Sequence, residues 1–527
     1  GKLGEKVTFV RSATGLVREY SALTALWIAS CNVIGAGTFK LPATAPADYP
    51  GADVVMTFLI AFIPFLVIGA IYVYLATAFP RSGGDYVYNS RLLHPVIGMI
   101  VATTWTMARF LVMGIMAWSG VQSWCEVIYF IGLYGKDKGL ITTAAWIATN
   151  PVAVAVIAAV LLTTWWIAVV APPKSFVRFM WFLWWFPMIG YLVIIGIQGA
   201  TPYRPETVQA AWDGLYGAGA YKEIIEVALK TGWKAAPLTW GATSAAFSIP
   251  LFAWGIAPWH FPSMLGGEVK TPKKTFLVSI LGSVLLTGFL MIALISTTFS
   301  SFSYDFISQV NWAFKPAARA LLQIQAARPL LLTSFSSALG GNLIIVLIIA
   351  LAASFSLYHV VPPMIVATSR YLFALSFDRM IPGFFSNVSE RLHTPIWAVT
   401  FLCVGGWIAV FSNILYGSVP STVAMAIATS IACICASLSF LMLPYKRPRE
   451  FEALGIPKWV PWVLAVPSLC FWFWFLAVQL PLQPPLTMYI TTSVMIVGIL
   501  IYLFNRYYWH PKKGIDTKAI FSEIPPE

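Results

Sequence analysis

Apolar runs about 20 residues long, each closed off by a short polar or charged segment, recur along the whole chain, and a helix of that length crosses the ~30 Å hydrocarbon core of a bilayer. The runs lie at roughly 21–45, 53–79, 96–131, 150–171, 176–198, 240–264, 275–299, 336–368, 395–414, 419–443, 459–479 and 485–508. This pattern predicts an all-α polytopic membrane protein with about 12 transmembrane helices, the third long enough to tilt.

Two runs are interrupted at their middle. In the first, Ile34-Gly35-Ala36-Gly37-Thr38-Phe39 places two glycines at mid-depth, each costing a continuous helix about 0.5–1 kcal/mol relative to alanine. In the sixth, Trp254-Gly255-Ile256-Ala257-Pro258-Trp259-His260-Phe261-Pro262 sets a glycine, two prolines and a histidine in an apolar segment. Each proline there removes an amide donor. Backbone groups freed inside a bilayer are tolerated only where they face protein, water or a ligand, so both helices are predicted to be broken around a site. The breaks are five spans apart, and a five-span unit followed by its copy must be inverted, because an odd number of crossings starts the copy on the opposite side. Matching interruptions in two halves point to binding at the midplane. The expected organisation is a cytoplasmic tail (1–20), a first five-helix repeat (21–198) and an external loop with a short amphipathic helix at Tyr221–Thr231 (199–239). A second, inverted repeat (240–443), two peripheral helices (444–508) and a cytoplasmic tail (509–527) follow.

Composition sharpens the class. The chain is 59% hydrophobic and 10% charged, with a mean hydropathy of +0.79, which excludes a soluble protein of this length. The net charge of +13 does not mark a nucleic-acid binder. About two-thirds of the 33 lysines and arginines fall on segments that are inside if the N-terminus is inside, as the positive-inside rule requires for N- and C-termini in the cytoplasm. The first twenty residues, with Lys2, Glu5, Lys6, Arg11, Arg18 and Glu19, lack an apolar core and read as a tail rather than a leader. All six cysteines fall in or at the ends of apolar runs, without disulfide-framework or zinc spacing. No nucleotide-binding loop, metal-ligand cluster or nucleophile triad is present in the sequence, so neither enzymatic chemistry nor primary pumping is expected.

Four stretches resemble the amino acid–polyamine–organocation (APC) superfamily, of the amino acid permease type. They are the Ile34–Phe39 glycine stretch, Phe79-Pro80-Arg81-Ser82-Gly83-Gly84-Asp85-Tyr86-Val87-Tyr88 after the second span, and Glu268-Val269-Lys270-Thr271-Pro272-Lys273-Lys274 after the sixth. The fourth is Ser369-Arg370-Tyr371-Leu372-Phe373-Ala374 with Asp378-Arg379-Met380-Ile381-Pro382 after the eighth. The resemblance implies the leucine-transporter-type fold, a 5+5 inverted repeat plus two peripheral helices, and transport of an amino acid or amine by alternating access. It places a substrate carboxylate on the backbone amides of Gly35, Ala36 and Gly37, with Ile34 also counted among the substrate-binding residues, and a substrate amine on the carbonyls of Trp254, Gly255, Ile256 and Ala257. The first assignment also has a physical basis, because a half-helix amino terminus carries unpaired donors and partial positive charge. Trp254, Pro258 and Trp259 stand where smaller residues are usual, which implies a narrow, aromatic pocket. Gly267 stands where a second acid often precedes Glu268, and the fifth span lacks the interior lysine of some proton-coupled relatives. The other reading is a membrane sensor or complex subunit that keeps the fold without transporting.

Further candidates come from individual residues. Arg81, Asp85, Glu268, Arg370 and Asp378 serve either as charge pairs that hold the inner side closed or as topology anchors. His260 lies in the sixth-span break, where an imidazole can change charge near neutral pH; His359 is a second intramembrane histidine. Ser354 and Ser356 offer hydroxyls for sodium or fill gaps between helices. Lys40 and Arg109 are cations inside spans, costly by at least ~2.5–3.5 kcal/mol unless compensated, and candidates to receive a carboxylate-bearing substrate. No cofactor or bound metal is expected beyond a coupling proton or sodium ion, and the partners are a small-molecule substrate and the bilayer.

Overall fold

The computed structural model describes residues 15–253, 260–323, 332–416 and 419–525. The sixth-span residues Trp254, Gly255, Ile256 and Ala257 lie outside them. Among the described residues, eleven helices are long and apolar enough to span a bilayer. The twelfth expected span is the sixth, whose described parts are short helices on either side of residues 254–259.

In chain order, the first span is two helices, α1 (Ala22–Val33) and α2 (Ala36–Asp48). α3 (Val54–Ala78) follows, then the short α4 (Asp85–Leu92) and the 41-residue α5 (Pro95–Gly135). α6 (Lys138–Thr149) leads into α7 (Pro151–Val170) and α8 (Pro173–Ala200). The first long connection carries α9 (Pro205–Tyr216) and α10 (Ala220–Lys230), one helix more than expected. α11 (Trp240–Ala245), α12 (Ser248–Ala253) and α13 (Phe261–Met264) belong to the sixth span. The seventh comprises α14 (Pro272–Phe276), a π turn over Leu277–Leu281 and α15 (Gly282–Ser301). The second long connection holds α16 (Tyr304–Ala313), α17 (Pro316–Arg319) and α18 (Leu332–Leu339). Then come α19 (Leu343–Phe377), α20 (Ile396–Tyr416), α21 (Val419–Lys446) and α22 (Pro448–Glu452). The chain closes with α23 (Val460–Gln479), α24 (Pro485–Phe504), α25 (His510–Lys512) and α26 (Thr517–Ser522).

α5 is the central pillar and packs chiefly against α19 and α20. Its most apolar window is 67% buried, against 28% for those of α7 and α23 and 22% for that of α24, so these three lie at the margin of the bundle. Large apolar residues such as Phe182, Leu192, Phe289, Trp397, Phe411 and Tyr489 are exposed on the spans, as lipid-facing positions are and as water-facing ones rarely are. Both described ends of the chain meet one end of the bundle, here the terminal face: Tyr20 pairs with the backbone of Glu268 and Lys270, and the α26 segment lies against Arg81, Arg91 and Arg447. The two long connections cover the opposite face.

Small residues let helices approach closely within a bilayer. At the α8–α19 crossing, a Cβ added to Gly190 would lie 2.0 Å from Ala352 Cβ. Gly190→Val is therefore expected to lower the thermal unfolding temperature in detergent, with an overpacking cost of at least about 1–3 kcal/mol. Ala352→Gly should recover much of the loss caused by Gly190→Ala; no recovery would mean that this contact does not set the cost.

Candidate functional site

The first span breaks at Ile34 and Gly35, both in extended backbone between α1 and α2. The Gly35 amide donates to Thr38 Oγ1 (3.3 Å) and the Gly35 carbonyl accepts from the Thr38 amide (3.1 Å). This reciprocal cap starts α2 at mid-span and leaves its first amides at a helix amino terminus, where a negative group is favoured. α19 holds the break from one side. Ser356 Oγ donates to the Ile34 carbonyl (3.2 Å), and the buried His359 approaches the carbonyls of Cys31 and Ile34. A Cβ on Gly35 would come within 2.8 Å of Val360 Cγ2, so only glycine fits this approach without a shift. Ser354 instead donates to Ala350 O (3.0 Å) and Ser123 Oγ (3.1 Å) within the α5–α19 interface. The two serines thus split: Ser356 touches the break, and Ser354 sits between helices.

Elsewhere in the bundle, aromatic rings gather around two sequence-picked residues. His260, 1% exposed, stacks on Tyr72 (centroids 4.6 Å) and tilts against Trp105 (5.4 Å). The Arg109 guanidinium lies over Trp105 (4.2 Å) and Phe261 (4.7 Å), with Met364 Sδ 3.9 Å from Nη1. Two ring faces therefore compensate its burial, an arrangement worth roughly 2 kcal/mol or more when desolvated. Lys40 is only partly buried and lies 5.7 Å from the Trp118 ring. The two intramembrane cations do not converge on one another.

At the terminal face the sequence-picked acids find different partners. Glu268 receives a two-pronged contact from Arg370, Nε–Oε1 2.7 Å and Nη2–Oε2 2.8 Å. Asp378 is gripped by Arg91, Nη1–Oδ2 2.6 Å and Nη2–Oδ1 2.9 Å, and accepts from the Tyr86 hydroxyl (2.7 Å). Asp85 accepts from Tyr72 (3.3 Å) and from Tyr371. Arg81 donates to the carbonyls of Pro525 and Pro80 (2.7 and 3.3 Å), so it clasps the C-terminal segment where a partner acid was expected. Gly83 and Gly84, at φ +102° and +46°, bring this loop against Ala374 and Met264, and the Gly83 amide donates to the Met264 carbonyl (3.0 Å). These contacts join α4, the α13 segment and α19 and close the terminal face.

Arg91, Tyr72, Tyr86 and Tyr371 did not stand out in sequence. Arg91 follows the glycine-rich loop motif, and charge alone marked it as one basic residue among many. At the opposite face, Glu126 of α5 accepts from Ser334 (2.7 Å) and Thr333 (3.3 Å), tying α5 to α18.

A many-spanning helical protein with its first span broken at mid-length, a buried aromatic cluster within the bundle and one face closed by ion pairs has the architecture of a membrane transporter. The profile of the amino acid permease family matches residues 20–504, and the chain belongs to that family. It is 24% identical over 512 residues to the methylthioribose transporter of Bacillus subtilis (strain 168), covering 95% of this chain and 96% of the relative.

Proposed function

We propose that the protein is a secondary active transporter of amino acids or related amines, working by alternating access between two inverted five-helix repeats and driven by a proton or sodium gradient or by exchange. The observation that carries this reading is the capped break at Ile34–Gly35, which turns the amino terminus of α2 into a donor site inside the bilayer. The amides of Ala36 and Gly37, joined by that of Gly35 when it exchanges Thr38 Oγ1 for the ligand, receive the substrate carboxylate, and the carbonyls of residues 254–257 receive its amine. The terminal face is cytoplasmic, since it carries the lysine- and arginine-rich segments. The closed terminal face then corresponds to a state in which the cytoplasmic path is shut. A second substrate reading, a small uncharged thio-sugar, is favoured by the name of the Bacillus subtilis relative and by the aromatic surroundings of His260.

Thermal shift and counterflow in proteoliposomes, run against amino acids, amines lacking a carboxylate and methylthioribose, test these readings together. An amino acid bound at 100 times its Kd should stabilise the fold by about 2.7 kcal/mol and exchange across the membrane. Stabilisation by methylthioribose alone selects the thio-sugar. Binding without exchange selects the sensor or subunit.

A further inference from the structure

Three acids are fully buried at the terminal face, and their surroundings divide them. Glu268 and Asp378 each face a guanidinium in two-pronged geometry. A guanidinium donates only and cannot accept a hydrogen bond, so both sites are built for permanent carboxylates. Asp85, 0% exposed, is held by phenols: Tyr72 of α3 donates to Oδ2 and Tyr371 of α19 to Oδ1. A phenol both donates and accepts. It can serve the ionised acid as donor and the protonated acid as acceptor, so this cage fits both charge states where an arginine would fit one.

The wider shell agrees. Tyr88 of α4, Arg109 of α5, and Cys433 and Cys435 of α21 act electrostatically on Asp85 or are acted on by it. His260 of the sixth span stacks on Tyr72 and links that span to the Asp85 cage. Burial pushes the Asp85 carboxyl up from 3.8 to about 6, against the hydrogen bonds from Tyr371 and Tyr72 and the charge of Arg109.

We infer that Asp85 is the proton-carrying site of the transport cycle, loaded while the cytoplasmic face is closed and discharged when that face opens. The inference rests on the transporter reading above. One O–H bond forms on the Asp85 carboxylate, with a proton delivered from the substrate side, and breaks to water on the cytoplasmic side; nothing is oxidised or reduced. Opening hydrates the acid and removes the burial that favoured its neutral form. Because the acid is raised in the closed fold, its contribution to that fold is complete below about pH 3.8 and is lost as the pH rises through about 6.

Infrared difference spectra of the purified protein in lipid nanodiscs, titrated across about pH 5 to 7, should show a protonated carboxyl band that disappears in Asp85→Asn and persists in Asp85→Glu. In proteoliposomes holding a pH-sensitive dye, addition of the standard amino acids together with methylthioribose should carry protons inward with the wild type. In Asp85→Asn, the ratio of gradient-driven accumulation to exchange should fall at least about tenfold, the signature of lost coupling. A carboxyl band unchanged by Asp85→Asn, or probe exchange in the wild type without proton entry, overturns this inference alone. If the wild type exchanges no probe at all, the transporter reading fails and takes this one with it.

Discussion

Gly35→Leu is expected to abolish uptake while the protein still inserts and purifies as a folded species. The added Cβ starts 2.8 Å from Val360 Cγ2, and three further carbons must fit where α19 already touches the break. Overpacking of this kind typically costs about 1–3 kcal/mol, which a many-helix protein survives. Its effect on the site is larger. To relieve the clash the break must leave α19, which pulls Ile34 O from Ser356 (now 3.2 Å) and displaces the amides that start α2. Hydrogen bonds to a charged group are worth about 1.5–3 kcal/mol each, so losing two to a carboxylate weakens binding by roughly 100-fold or more. Gly35→Ala combined with Val360→Ala makes room for a methyl group and should recover measurable uptake. Gly35→Leu combined with Val360→Ala should recover thermal stability only. Wild-type affinity for an amino acid substrate in folded Gly35→Leu would contradict the placement of the site on the first-span break.

The parts of this architecture visible in the sequence are those fixed by local chemistry. Apolar runs give spans because the bilayer rewards them residue by residue, and the Gly35–Gly37 pair gives a break because a helix centre penalises glycine wherever it occurs. What depended on distant partners was hidden. The Ser369–Ala374 motif was expected in a loop after the eighth span, yet α19 continues through it to Phe377. Its polar residues are buried in protein contacts rather than left in lipid, so the helix has no reason to stop where hydropathy falls. Asp378 was visible as a candidate, but its partner Arg91 lies 287 positions away, and no periodicity links the two. Asp85 was grouped with acids awaiting a cation; its tyrosines come from α3 and α19 and carry no charge pattern to read. The unexpected helix of the first long connection, α9, begins at Pro205 as an N1 proline, a signal outweighed by the clearer amphipathic run from Tyr221.

Arg370→Ala should open the terminal face. The Glu268–Arg370 contact is buried on both sides, with side chains 1% and 3% exposed, and joins the segment after α13 to α19. Removing one partner strands the other's charge, at a typical cost of about 3–5 kcal/mol. The cost falls on the closed state, because opening lets water reach Glu268, so the closed-to-open ratio should drop by roughly 100-fold or more. A reporter is available in Ser263 on α13, which is 0% exposed. With Cys435 and Cys470, the less buried cysteines, changed to serine, Ser263→Cys should resist maleimide applied from the side of the terminal face and become rapidly labelled once Arg370→Ala is added. The double replacement Glu268→Leu with Arg370→Met separates charge from packing. An apolar pair of similar volume is often neutral or stabilising in place of a buried ion pair, so this variant should close again and resist labelling. It should also transport poorly, held shut by a contact that water cannot loosen. Both variants stop transport, and they do so with opposite labelling. If Ser263→Cys stays protected in Arg370→Ala, the pair does not hold the gate, and closure rests instead on the Arg91–Asp378 grip and the arginine-clasped C-terminal segment.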